Sequence, residues 1–117
     1  MIKRIHSGGE FEAKIGYCRA VVAGGFAFVA GTVGQGDDVV SQCGSALETI
    51  KNALTEAGSD ISKAVRVTYY LPDITEFEAC WPQLSEAFGD NPPAATVIEA
   101  KLLHPRFRIE IEVTALA

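Results

Sequence analysis

Residues 16–35 read GYCRAVVAGGFAFVAGTVGQ. Residues 17–23 and 26–32 are rich in aromatic and β-branched side chains, and Gly24-Gly25 between them tolerates the positive φ that a tight hairpin turn demands. A β-hairpin is therefore expected here, and the rest of the fold grows outward from it. Downstream, residues 38–57 place Cys43, Ala46, Leu47, Ile50, Ala53, Leu54 and Ala57 at three- and four-residue spacing. Asp37 or Asp38 can cap the start of this amphipathic helix and Gly58 can end it.

Residues 64–71 alternate Val65, Val67, Tyr69 and Leu71 with polar positions, as a half-buried strand does, and Pro72-Asp73 stops the run. A second helix should follow, with Phe77, Cys80, Trp81, Leu84, Ala87 and Phe88 on one stripe and its first half distorted by Pro82. Residues 96–103 and 107–115 read as two final strands, and residues 2–6 as a short first one. The order is βββαβαββ, an α+β chain with two helices on one face of a mixed sheet. In the last strand Phe107, Ile109, Ile111 and Val113 point one way and Arg108, Glu110, Glu112 and Thr114 the other. The face without helices must meet water or another subunit, and its mixture of charge with apolar patches suits a wet oligomer interface.

Composition agrees with one compact unit over residues 1–117, because no linker, repeat or compositional break divides the chain. Ten Lys and Arg against 15 Asp and Glu leave a net charge of −5. A chain this acidic lacks the clustered cations that phosphate contacts need, so no nucleic-acid partner is expected. The N-terminus has no signal-like apolar core, and the longest apolar stretch is broken by Gly24-Gly25, so no membrane partner is expected either. Cys18, Cys43 and Cys80 form neither a CxxC motif nor a disulfide framework, and a reducing cytoplasmic setting fits them best.

Few motifs carry chemistry. The stretch GTVGQG at 31–36 has the wrong spacing for a dinucleotide loop and lacks the Lys of a phosphate loop, while Asp37 and Asp38 would repel an anion. His6 and His104 are distant from each other and without neighbouring ligands, so neither a metal nor another cofactor is expected. Glu110 and Glu112 share one side of the last strand. They form either a solvated or salt-bridged polar face or a pair of acids holding water or ligand in a cleft. Tyr17 and Arg19 make a similar pair, with side chains about 7 Å apart along an extended chain.

The hairpin run, the helix ending ALTEAGSD, the strand KAVRVTYYLPD followed by FEACW, and the ending PPAATVIEAKLLHPRFRIEIEVTALA together resemble the Rid family, the YjgF-type reactive intermediate deaminases. The likeness covers nearly the whole chain. It implies a chorismate-mutase-like α+β fold and a homotrimer whose sheets form a central barrel, with ligand pockets in the clefts between subunits. Active members hydrolyse enamines and imines of amino acids to a keto acid and ammonia. An arginine in a P-A-R-[ST] motif grips the substrate carboxylate there, and the first glutamate of the E-I-E ending positions water.

In this chain Pro93-Ala94-Ala95-Thr96 occupies that motif, so Ala95 stands where the arginine would be and a methyl group replaces a bidentate charged contact. Ala30 likewise stands where a small hydroxyl residue is common. Tyr17, Gly31 and Glu110 match the family, and Trp81 falls where the second helix would border the pocket.

The resemblance thus implies a small-metabolite-binding homotrimer for a keto, imino or amino acid, with the missing clamp arguing against standard 2-imino acid deamination. The alternatives are an enamine or imine deaminase of altered specificity, in which Glu110 positions water, and a non-enzymatic interaction or chaperone-like trimer. The candidate site comprises Glu110 as catalytic residue with Tyr17, Arg19, Ala30, Gly31, Trp81, Ala95 and Thr96 as ligand contacts. Arg19 either takes over the carboxylate or forms an ion pair with Glu110 or Glu112. The ion pair is the more ordinary fate of a buried arginine beside acids.

Overall fold

The computed structural model describes residues 1–117. The hairpin forms as expected, with β2 (Ala20–Ala23) and β3 (Phe26–Val33) paired antiparallel across Gly24 and Gly25 at φ of 59° and 85°. A two-residue loop of that hand matches the twist of the flanking strands, and a side chain at either position would be strained. β2 starts at Ala20 rather than at residue 17. Before it lies a turn that the sequence reading missed, α1 (Glu12–Ile15), held by the buried Glu12 carboxylate.

β1 (Lys3–Ile5) pairs with β2. α2 (Val39–Glu56) begins at Asp38, whose side chain accepts from the Ser41 amide at 2.8 Å. β4 (Ala64–Leu71) leads into a 3₁₀ segment, Ile74–Cys80, and then α3 (Trp81–Phe88), whose first turn contains Pro82. Proline is tolerated there because no helical acceptor awaits its missing N–H. β5 (Ala94–Glu99) and β6 (Glu110–Leu116) complete the chain.

The strands make one six-stranded sheet in the order β1-β2-β3-β6-β4-β5. Only β4 and β5 run parallel, the arrangement that a helical crossover through α3 allows. α2 and α3 cover one face, and Ile50, Leu54, Val67, Leu71, Ile109, Ile111 and Val113 form the dry layer beneath them. The mixed α+β architecture with helices on one face is thus as expected.

Three details differ. Val65 is exposed because the β4–β6 register slips between Ala64 and Arg66, which turns Val65 out of the alternation that Val67, Tyr69 and Leu71 keep. Trp81 leaves the apolar stripe and is 54% exposed, because the preceding turn is 3₁₀ and the rotation per residue changes there. The last two strands are shorter than expected, β5 ending at Glu99 and β6 starting at Glu110. Gln42 of α2 accounts for the late start of β6. Its amide donates to Gly36 O and Arg106 O at 3.0 and 2.9 Å and accepts from the Arg108 N–H at 2.7 Å, holding 106–108 against the helix instead of a strand.

Candidate functional site

The open face of the sheet is concave and holds a depression of about 1030 Å³ bordered by Arg4, Phe28, Ala30, Arg66, Thr68 and Glu112. Phe26, Phe28 and Ile98, also on this sheet, expose 37%, 47% and 41% of their surface. Exposed apolar side chains on a sheet face are available for contact with another molecule.

At one side of this face β3 carries a bulge. Val29 pairs with Val113 but Thr32 with Ile111, so the strand has an extra residue at Ala30-Gly31. The slip lays the Glu110 carboxyl directly on Gly31, where any Cβ would overlap it. An isolated glycine in an otherwise apolar strand was the available signal for both bulge and close approach. Glu110 is half-buried, and burial raises its carboxyl above the ordinary range; Glu112 adds to the rise and Arg19 opposes it. Glu112 is itself held by the Tyr70 hydroxyl, which donates to it at 2.7 Å. One acid of the pair is therefore tied down, and no hydrogen bond or ion pair within the chain holds the other.

Arg19 lies beneath the same bulge. Only 6% exposed, it donates from Nη2 to Gly31 O at 3.2 Å and stacks on the Tyr17 ring at 5.2 Å. Within the chain it makes no ion pair with Glu110 or Glu112, contrary to the more ordinary expectation, because the Gly31 peptide takes its Nη2 instead. Its backbone continues the sheet ladder, the Arg19 amide donating to Ile5 O at 2.8 Å and its carbonyl accepting from Ala30 N at 2.9 Å.

Glu12 is a neighbour that sequence reading missed. It is 4% exposed and accepts from the amides of Ser7 and Gly9 at 3.1 and 3.0 Å and from the Ser7 hydroxyl. Burial raises its carboxyl, yet these bonds outweigh burial and leave it below the ordinary value. The Ser-Gly-Gly turn ahead of two acids was the only clue in the sequence.

The fold thus brings together Tyr17, Arg19, Ala30, Gly31 and Glu110. It does not bring Trp81, Ala95 and Thr96 to them within the chain. Ala95 and Thr96 are exposed on β5, the edge strand beyond β4, and Trp81 opens α3 on the helix side.

Comparison with known proteins agrees with the fold. A profile of the family described as Endoribonuclease L-PSP matches residues 8–117. A RutC family protein of Pyrococcus abyssi is 35% identical, the match spanning 85% of this chain and 84% of that one. The 2-iminobutanoate/2-iminopropanoate deaminase of Capra hircus is 29% identical over 99% of this chain and 91% of its own. The crystal structure of Rv2704 of Mycobacterium tuberculosis, a member of the YjgF/YER057c/UK114 family, superposes with a TM-score of 0.96 at 36% identity, covering both chains completely.

Proposed function

The chain belongs to the Endoribonuclease L-PSP family, also known as YjgF or Rid, and on that premise we propose that it binds a small keto, imino or amino acid in pockets between the subunits of a homotrimer. Its turnover of ordinary 2-imino acids is slow. The observation that carries the reading is the Glu110 carboxyl laid on the Gly31 bulge at the rim of an uncovered face. A carboxyl so placed can hold a water or a polar ligand atom, and the bare Gly31 backbone lets that ligand approach.

Assembly supports the remaining residues. β5 carries Ala95 and Thr96 near one edge of the sheet, whereas Tyr17 and Gly31 belong to the other half. A closed ring that packs open faces together sets one subunit's β5 beside another's bulge, which is how residues so far apart in one chain come to share a cleft. Where the arginine would then project, Ala95 offers a methyl group. The loss of a bidentate charged contact weakens both grip and orientation of a carboxylate substrate.

The test is direct assay of ammonia release from freshly generated 2-iminobutanoate, alongside calorimetric titration with 2-oxobutanoate. Binding with ammonia release far below that of an arginine-bearing family member is expected. Release at a comparable rate overturns the slow-turnover reading and favours the second one, a deaminase of altered specificity. One observation speaks for that second reading: burial favours the protonated form of Glu110, so the group sits closer to the proton-transfer range that general acid–base catalysis uses.

A further inference from the structure

Glu110 is half-buried, its oxygens make no bond within the chain, and neither of them is shut off from solvent. For a group that is to receive an acid, its surroundings hold few free cations. Arg19 bears on it from beneath the bulge, but that guanidinium is bonded to Gly31 O, stacked on Tyr17, and shared with the buried Glu12. Arg108, two residues earlier, is fastened to Glu76, Nε to Oε1 at 3.0 Å. Arg4 and Arg66 belong to the row of Thr114, four residues further along β6. Nearer on the open side stand Glu112, two residues on, and Tyr70, directly opposite Glu110 in the β4–β6 register and bonded to Glu112.

A 2-oxo acid set against Gly31 and Glu110 therefore brings a third carboxylate beside two others. Carboxylates crowded into one partly dry site do not all stay ionised, and one of them takes a proton. Glu110 is the one that gives way. The Tyr70 hydroxyl donates to Glu112 and so favours its charged form, and the carboxyl of a 2-oxo acid is a stronger acid than a glutamate. Burial, and after it the Glu112 charge, favours the proton on Glu110 before any ligand arrives.

We infer that Glu110 receives the ligand's carboxylate as a neutral acid that donates its hydrogen bond to it, so that binding carries a proton into the site. An O–H···O⁻ bond of this kind is short and strong, and it gives the site a donor where Ala95 offers none. The inference rests on the reading above for the class and place of the ligand, and adds to it a proton requirement. Above the raised value of Glu110 that proton has to be taken from water, so affinity falls as pH rises.

The experiment is isothermal titration calorimetry of the intact chain with 2-oxobutanoate from about pH 5 to about pH 8, a range in which the ligand itself stays ionised. At each pH, two buffers of different ionisation enthalpy report the protons exchanged. Affinity is expected to fall by up to about tenfold per pH unit, with uptake rising towards about one proton per acid bound. Glu110→Gln keeps a neutral donor in its amide. This variant is expected to bind with an affinity independent of pH and no proton uptake, and to overtake the unmodified chain at the upper end of the range. Should it not fold, the buffer comparison on the unmodified chain decides alone. Binding without proton uptake and without pH dependence overturns the inference and leaves the small-acid reading standing. Uptake that persists in Glu110→Gln puts the proton on another group and overturns it as well. No saturable heat at any pH overturns the inference and the small-acid reading together.

Discussion

On β6, Ile111, Val113 and Ala115 face the helices and are at most 2% exposed, while Glu110, Glu112 and Thr114, one position out of step, stay half-buried on the open side. The covered side is filled by close packing between the sheet and the helices. The open side keeps a raised carboxyl over a glycine bulge, exposed aromatic rings, and a buried arginine bonded to the Gly31 carbonyl beneath it. The same strands therefore serve two purposes, and what separates them is the period-two alternation together with the slip at Ala30-Gly31.

The contrast is broken most severely from the covered side. Ile111→Ala removes a fully buried side chain from between the sheet and α2 and is expected to cost about 2–5 kcal/mol in urea unfolding. A cost below 1 kcal/mol would mean that this layer is not the core. On the open side Glu110→Ala is expected to leave the fold intact and to lower whatever imine hydrolysis the chain performs by about 10²-fold, as loss of a general acid–base group does. Gly31→Ala should reproduce that loss, because its methyl group occupies the place of the Glu110 carboxyl. If Gly31→Ala keeps full activity, the Glu110–Gly31 contact is not the site.

Phe28→Glu places a charge among the exposed rings of the open face, and sedimentation velocity should show the proposed trimer giving way to smaller species while the far-ultraviolet dichroism is kept. An assembly unchanged by the substitution would contradict the proposed interface on this face.

The smallest effect concerns pH. Burial raises the Glu110 carboxyl, so between the ordinary carboxylate range and its own raised value the folded chain holds a proton that the unfolded chain has released. Stability then falls as pH rises through that window. Glu110→Gln lacks this titration: its melting temperature should overtake that of the unmodified chain as pH rises and converge with it in acid. The opposite trend would show the carboxylate to be stabilised by a partner.

Much of the covered side was legible in the sequence. The α2 stripe from Cys43 to Leu54, the alternation of Val67, Tyr69 and Leu71, and the Gly24-Gly25 turn are local patterns whose periods name the element. The open side was less so, because its defining features are relations between distant residues. Nothing local to Gln42 shows that its amide would tie down 106–108, and nothing local to Val65 shows the slip that exposes it. Arg19 reads as an ion-pair residue until the Gly31 carbonyl is seen to take its Nη2. Glu12, in a four-residue turn without apolar periodicity, had only a glycine-rich lead-in to announce it.

The most direct test of a small-acid site on the open face is a crystal structure of the chain soaked with 2-oxobutanoate. The account predicts density for the acid against Gly31 and Glu110, in a cleft closed by the β5 edge of a neighbouring subunit. Density for the acid only on the α2 and α3 side, or clefts left empty at saturating acid, would contradict it.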